Sequence, residues 1–159
     1  MTEIVDLWPD TIKVEKMITP VTILRQQASL LGKKTKNIIQ GKVEKGTDDT
    51  NGLFDYTLYI VAPALNDYRY RLLSISYGIH LYPLTIKIED EEILSEIPPK
   101  FSCTTYKSGI SIKPNSEEEF KEVLKAIFNS KKVLRVISVL LSQSDPSYDP
   151  SLKEGETQQ

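Results

Sequence analysis

Hydrophobic and polar residues alternate along three consecutive runs between Leu53 and Ile88. The apolar positions of these runs are, in order, Phe54, Tyr56, Leu58 and Ile60, then Tyr68, Tyr70 and Leu72, then Leu84, Ile86 and Ile88. A period of two places alternate side chains on opposite faces of a pleated strand. Half-polar strands of this kind are typical of antiparallel sheets, whereas buried parallel strands are apolar without interruption. The pattern therefore predicts an antiparallel sheet with one face toward a core and one toward solvent.

Shorter runs predict further strands of the same sheet. Residues 37–45 are predicted to form one strand, and residues 101–113 a short hairpin. The dipeptide Asn51-Gly52 is a strong hairpin signal, because both residues tolerate the left-handed backbone of a tight turn. Apolar residues at alternate positions in 12–18 predict one more short strand at an edge.

The best-specified helix begins at Thr19-Pro20. Threonine is a favoured N-cap, and proline is tolerated at the first helical position because the amide hydrogen that it lacks would have no partner there. The apolar stripe of this helix consists of Val21, Leu24, Ala28 and Leu31. Gly32 is predicted to end it, since glycine adopts the left-handed conformation that closes a last turn.

Two more helices are predicted near the C-terminus. Ser116 and Glu119 have the spacing of a capping box, and the stripe that follows is Phe120, Val123, Leu124 and Ile127. Residues 131–142 have helical spacing but also the β-branched content of a strand; the spacing favours a helix, and the strand stays an alternative. The acidic segment 90–97 predicts one or two helical turns.

These elements predict an α+β fold, in which the N-terminal helix and the two C-terminal helices cover one face of an antiparallel meander of five to six strands. The predicted strands are 37–45, 53–61, 68–77 and 82–88, with 101–113 as an edge hairpin. Residues 1–142 are expected to form one domain, and residues 143–159, which have no apolar period, a disordered tail. An edge strand near Ile110 would allow pairing with a second copy, so a homodimer is an open alternative.

Charge and cysteine content narrow the class of protein. The chain has 20 Lys and Arg against 22 Asp and Glu, a net charge of −2, which gives no broad field for nucleic acid or an anionic membrane. Cys103 is the only cysteine, so an internal disulfide is impossible. The N-terminal residues do not resemble a secretory leader, and no apolar run approaches the length of a membrane span. A cytoplasmic protein is expected.

Motifs that resemble phosphate and calcium sites fail on spacing. The sequence Gly32-Lys33-Lys34-Thr35 resembles the end of a phosphate-binding loop, but Gln27 stands where the motif requires a glycine. Asp48 and Asp49 precede Gly52 as in a calcium loop, but Leu58 stands where the closing glutamate is needed. No cofactor and no metal are predicted.

The single histidine, His80, and Cys103 are the only pair that could act as base and nucleophile. Nothing in the sequence places them together, and one histidine with one cysteine cannot build a multi-ligand zinc site. A turn histidine and a small buried thiol are favoured. These observations favour a protein without enzymatic activity and leave an enzyme as an open alternative, and no catalytic residue is assigned.

The most suggestive feature is the sequence Tyr68-Arg69-Tyr70-Arg71. Its alternation predicts two tyrosines on one face, packed on a helix, and two arginines on the other, facing solvent or a partner. Both residue types are enriched at interface hot spots, so these four residues are the candidate partner-binding site. Ordinary packing of the tyrosines is the competing interpretation.

Parts of the first half of the chain resemble a group of small bacterial proteins. The segments that carry the resemblance are TPVTILRQQASLLGKKTKNIIQ at 19–40, VAPALNDYRYR at 61–71 and LYPLT at 81–85. That group has no established activity, so the resemblance transfers no catalytic residue. It implies a compact protein of the bacterial cytosol.

The leading functional hypothesis is a non-enzymatic factor, accessory or immunity-like, that binds another protein. One alternative is binding of single-stranded nucleic acid through residues 68–71, where aromatic and cationic groups are close in sequence. A third hypothesis is a small-ligand-binding protein or an enzyme whose site is assembled from distant residues.

Overall fold

The structure, a computed structural model, describes residues 3–46, 52–101, 103–106 and 109–145. Its strands are β1 (Gln40–Lys45), β2 (Phe54–Ala62), β3 (Tyr68–Tyr77), β4 (Thr85–Ile88), β5 (Cys103–Tyr106) and β6 (Gly109–Ile112). Its α-helices are α1 (Pro20–Lys34), α2 (Glu117–Phe128) and α3 (Lys131–Ser144), and short 3-10 helices span Pro63–Leu65 and Glu91–Glu96. The α+β prediction, with an N-terminal helix and two C-terminal helices, is confirmed.

The six strands form one antiparallel sheet in the order β1-β2-β3-β4-β6-β5. The last hairpin is inverted relative to the meander, because β6 rather than β5 pairs with β4. The prediction of an edge strand near Ile110 is therefore wrong. Ile110 lies in β6, between two strands, and the edge on that side is β5.

The core lies between one face of the sheet and the three helices. Ile60, Leu73 and Ile86 on the sheet and Leu24 and Phe120 on the helices are almost completely buried. They belong to one continuous hydrophobic cluster. A close approach positions α1, because a Cβ atom added to Gly41 on β1 would lie 2.5 Å from Ala28 Cα. Helix and strand backbones are therefore in direct contact at this point.

A β-bulge interrupts the pairing of β2 with β3. Leu58 pairs with Leu73, but the next residue of β2, Tyr59, pairs with Arg71, so Leu72 has no partner of its own. The extra residue reverses the alternation of β3 at that position. Leu72 and Leu73 are consequently both buried, although they are neighbours in sequence.

Three predicted boundaries are corrected. Gly32 does not end α1; the helix continues to Lys34, and residues Lys36 and Asn37 take the left-handed backbone instead. This turn also delays β1, which was predicted from 37 and begins at Gln40. The strand predicted from 82 begins at Thr85, because Leu81 has a φ of 68° and the backbone before β4 is not extended.

Other predictions have mixed outcomes. The caps at Thr19 and Ser116 are confirmed, as are the helical turns in 90–97. Residues 131–142 are helical. The strand predicted at 12–18 is wrong, because residues 3–19 form neither helix nor strand. Asn51 of the predicted Asn51-Gly52 turn and most of the predicted tail 143–159 lie outside the described residues, whereas Gly52 has a left-handed backbone with a φ of 66°.

None of the helices in the described ranges has both the length and the apolarity needed to cross a bilayer.

Candidate functional site

The face of the sheet opposite the helices is polar, and we call it the open face. Cross-strand pairing places on it one alternate set of side chains from each of the first four strands. The set consists of Gln40, Lys42, Glu44, Asp55, Thr57, Tyr59, Val61, Arg69, Arg71, Ser74, Ser76, Thr85 and Lys87. Within the described ranges, the three α-helices pack against the other face, so these side chains face solvent, with the exception of the buried Val61.

Arg69 is held by neighbours from two other strands. Its Nη1 atom lies 2.8 Å from Glu44 Oε1 on β1. Its guanidinium lies 5.3 Å from the centre of the Tyr59 ring on β2, within the range of a cation–π contact. The hydrogen bond from Arg69 lowers the pKa of Glu44. Arg69 thus contacts a carboxylate on one strand and an aromatic ring on another.

Arg71 is held in a similar way, one pair of residues further along β3. Its Nη1 lies 3.2 Å from Glu89 Oε1, and its Nη2 donates a hydrogen bond of 2.9 Å to Ser74 Oγ. The Ser74 hydroxyl also lies 3.0 Å from the Thr57 hydroxyl on β2. Exposed ion pairs contribute little to stability. Their effect here is to restrict two long side chains in advance, which reduces the entropy that a partner would otherwise have to remove.

Two shallow depressions adjoin these arginines. One, of about 390 Å³, lies over β1–β4 and includes Glu44, Asp55 and Tyr59 in its lining. The other, of about 590 Å³, lies over β3, β4 and β6. Arg71 and Lys87 line both depressions. These two cations therefore stand at the middle of the open face, with carboxylates on either side.

The tyrosines of the sequence motif lie on the other face from the arginines. Tyr70 is half-buried against the core, where burial and, secondarily, the charge of Asp90 raise its pKa. Tyr68 stands at the first position of β3, half exposed, opposite Ala62. The structure therefore brings the two arginines together with Tyr59, and not with the tyrosines next to them in sequence.

Several members of this site are not evident from sequence. Tyr59, Glu44 and Lys87 lie in different strands, and only the cross-strand register shows that they share a face with Arg69. For Tyr59, the sequence contains one indication. It lies between Leu58 and Ile60, so the period of a strand assigns the Tyr59 side chain to the polar face of β2.

The structure places the histidine and the cysteine in separate elements. His80 is exposed in the turn between β3 and β4. Cys103 is half-buried in β5, and burial raises the pKa of its thiol, which disfavours the thiolate that a nucleophile requires. Among the residues that the structure describes, no three His, Cys, Asp or Glu side chains are grouped closely enough to hold a metal ion.

Comparison of the chain with protein-family models, with curated proteins and with solved structures gives no match. The resemblance of 19–40, 61–71 and 81–85 to small bacterial proteins therefore stays an expectation.

Proposed function

We propose that the protein is a non-enzymatic binding module that docks another protein on its open face, as an accessory or immunity-like factor. The observation that carries this proposal is the placement of Arg69 and Arg71. Both project from the face of the sheet that none of the described helices covers, where they contact Tyr59, Glu44 and Glu89. Arginine and tyrosine are enriched at interface hot spots, and restricted side chains lose less entropy on binding.

The charges of the open face favour a protein partner. Arg69, Arg71 and Lys87 are interspersed with Glu44 and Asp55 within a few strands. A surface with both signs is complementary to another protein surface with both signs, whereas a polyanion would be repelled by the carboxylates. The partner would present carboxylates that replace Glu44 and Glu89 as acceptors for the two guanidinium groups.

We place this interaction in the bacterial cytoplasm. Cys103 is a free thiol, in keeping with a reducing compartment, and the resemblance of the first half of the chain to small bacterial proteins agrees with that location.

The test is affinity capture from a bacterial lysate with three full-length baits. These are the wild type, Arg69→Ala/Arg71→Ala, and Arg135→Ala, in which an exposed arginine of α3 is removed as a matched control. The wild type and the Arg135→Ala control should retain one stoichiometric protein, and the double variant should bind it at least about tenfold more weakly. A partner that all three baits retain equally would exclude the open face, and capture of no protein would contradict the proposal.

Single-stranded nucleic acid is a second candidate, and one observation favours it. Tyr59 lies beside Arg69 on the open face, so an aromatic ring and cations share a surface after all. Fluorescence anisotropy with a labelled oligonucleotide would test this candidate. It requires an affinity that falls steeply with salt and that is lost in Tyr59→Ala. A salt-independent signal, or one that Tyr59→Ala leaves unchanged, would exclude it.

A further inference from the structure

An apolar groove lies on the covered side of the sheet, between α1 and the α2–α3 pair, and we call it the helix groove. Its volume is about 570 Å³. Leu30, Phe128 and Leu134 contribute apolar lining, and Leu30 and Leu134 are 42% and 49% exposed. Large aliphatic side chains left half in water mark a surface that is suited to a second apolar group.

The charged residues that line the helix groove all have the same sign. Lys34 comes from the end of α1, and Lys121 and Lys125 come from α2. Lys121 has a partial counter-charge in Glu117, 3.5 Å away on the same helix. No aspartate or glutamate is among the described residues that line the groove. A ligand for it should therefore be both apolar and acidic.

The N-terminal segment of the chain has those two properties. Residues 3–18, which we call the arm, contain no helix or strand. Ile4, Leu7 and Trp8 of the arm are 97%, 90% and 75% exposed. Residues 3–10 also contain three acids and no basic residue, whereas residues 11–18 contain one acid and two lysines, so the acidic part of the arm is its first half. Such a concentration of exposed large apolar side chains is unusual on a free surface and indicates a missing contact.

From this complementarity of charge and polarity, we propose that the arm of one copy binds the helix groove of a second copy. Each protomer would give one arm and receive one, which forms a closed two-fold dimer. Residues such as Leu7 and Trp8 would cover Leu30 and Leu134, and the acids of 3–10 would lie against Lys34, Lys121 and Lys125. In the structure the arm is exposed and does not occupy the groove of its own chain, which is why we assign it to a second copy.

This dimer is independent of the proposed open-face interaction. The helix groove and the open face lie on opposite sides of the sheet, so a dimer leaves Arg69 and Arg71 accessible. Failure of one proposal would leave the other standing.

Trp8 is the only tryptophan, so its fluorescence reports the position of the arm directly. The experiment mixes two full-length variants. Trp8→Glu gives no tryptophan emission and cannot donate its arm, but its groove is intact. Leu134→Glu retains Trp8, but a carboxylate replaces a half-exposed leucine in its groove, at a position where the fold should tolerate it. Circular dichroism melting of both variants checks that they are folded.

If the proposal is correct, the emission of Trp8 in Leu134→Glu shifts to shorter wavelength as Trp8→Glu is added, and the shift saturates. The double variant Trp8→Glu/Leu134→Glu, added in its place, should give no shift. Light scattering should show a dimer for the wild type and monomers for each single variant alone.

Charge reversal gives a second test that does not alter the apolar lining. Lys125→Glu should weaken the wild-type dimer on the order of tenfold, because it places a carboxylate beside the acidic arm. Lys33→Glu, at an exposed lysine of α1 outside the groove lining, is the matched control and should leave the dimer unchanged.

Three results would overturn the proposal. A blue-shifted Trp8 emission that does not depend on concentration, in a monomer, would show that the arm occupies its own groove. A monomer with exposed Trp8 at all concentrations would show that the arm does not dock. A monomer with exposed Trp8 that binds laurate would assign the groove to a small anionic amphiphile instead.

Discussion

The hydroxyl groups of Tyr77 and Tyr82 differ in their hydrogen bonding. Burial raises the pKa of Tyr77, and the nearby Val21 backbone and Thr19 side chain at the start of α1 act in the opposite direction. The Tyr82 hydroxyl is buried, and burial raises its pKa to about 12. It has no hydrogen-bond partner among the described residues. The Tyr77 hydroxyl therefore lies next to the N-terminus of α1, whereas the Tyr82 hydroxyl has lost its contact with water and has no hydrogen bond with the described residues in exchange.

We expect Tyr82→Phe to leave the free energy of unfolding unchanged or to raise it by up to about 1 kcal/mol, because it removes a buried polar group that has no partner. Urea denaturation of the variant and the wild type measures this difference.

The matched change, Tyr77→Phe, should lower the free energy of unfolding by about 1 kcal/mol, because it removes a hydroxyl that lies next to polar groups of Val21 and Thr19 at the start of α1. An equal loss in both tyrosine variants would contradict the assignment of different environments to the two hydroxyls.

At the scale of secondary-structure elements, the packing of α1 on β1 depends on Gly41. A methyl group at this position would meet the backbone of Ala28 at 2.5 Å, and neither element can move without disturbing the core. We expect Gly41→Ala to lower the free energy of unfolding by about 1–3 kcal/mol. Thermal or urea denaturation would show the loss.

Gly78→Ala is the control for Gly41→Ala. The nearest side-chain atom to a Cβ atom at Gly78 would be Leu53 Cδ2 at 3.7 Å, an ordinary contact distance. This substitution should change stability much less. Equal effects at both glycines would indicate a general backbone effect rather than the contact between α1 and β1.

The junction of α2 and α3 depends on Ser130, which is completely buried. Its hydroxyl donates a 2.7 Å hydrogen bond to the Ile127 carbonyl and accepts one of 3.3 Å from the Val133 amide. We expect Ser130→Ala to lower the free energy of unfolding by about 1–2 kcal/mol, measured by urea denaturation. Ser138→Ala, at an exposed serine within α3, should be nearly neutral, and an effect as large as that of Ser130→Ala would argue against the capping role.

At the scale of the whole molecule, substitutions on the open face should weaken partner binding without lowering the stability of the fold, because the side chains of this face contribute little to the core. The double variant Arg69→Ala/Arg71→Ala breaks two exposed ion pairs, which are weak in water. We therefore expect its melting temperature to fall by less than about 4 °C, as measured by circular dichroism. A larger fall would show that the arginines serve the fold.

The elements were predictable where the signal is local. A cap such as Thr19 and the alternation along β2 are encoded within a few residues, and both appear in the structure. The end of α1 was not predictable from Gly32, because Thr35 and Asn37 satisfy the last turn through their own hydrogen bonds. The apolar residues of 12–18 resembled a strand, but in the described part of the chain they are exposed and belong to no strand.

The candidate site was predictable only in part. The separation of Arg69 and Arg71 from the neighbouring tyrosines follows from the period of a strand. The contacts with Glu44 and Tyr59 depend on pairing between β1, β2 and β3, which the sequence of one strand does not contain. The bulge also has no sequence pattern of its own. The adjacent Leu72 and Leu73 interrupt the alternation of apolar and polar residues along β3, but they do not by themselves indicate a bulge.

That bulge lets β3 hold one residue more than its pairing with β2 requires. Leu72 is the extra residue, so Arg71 before it and Ser74 after it point the same way although they are three positions apart. A chain lacking Leu72 would pair Leu73 and Arg71 with Leu58 and Tyr59 in an unbroken ladder. The arginines would then stay on the open face and Leu73 in the core, and the loss would be that of one buried leucine side chain. The composition of the open face should therefore survive this deletion, at a cost in core packing.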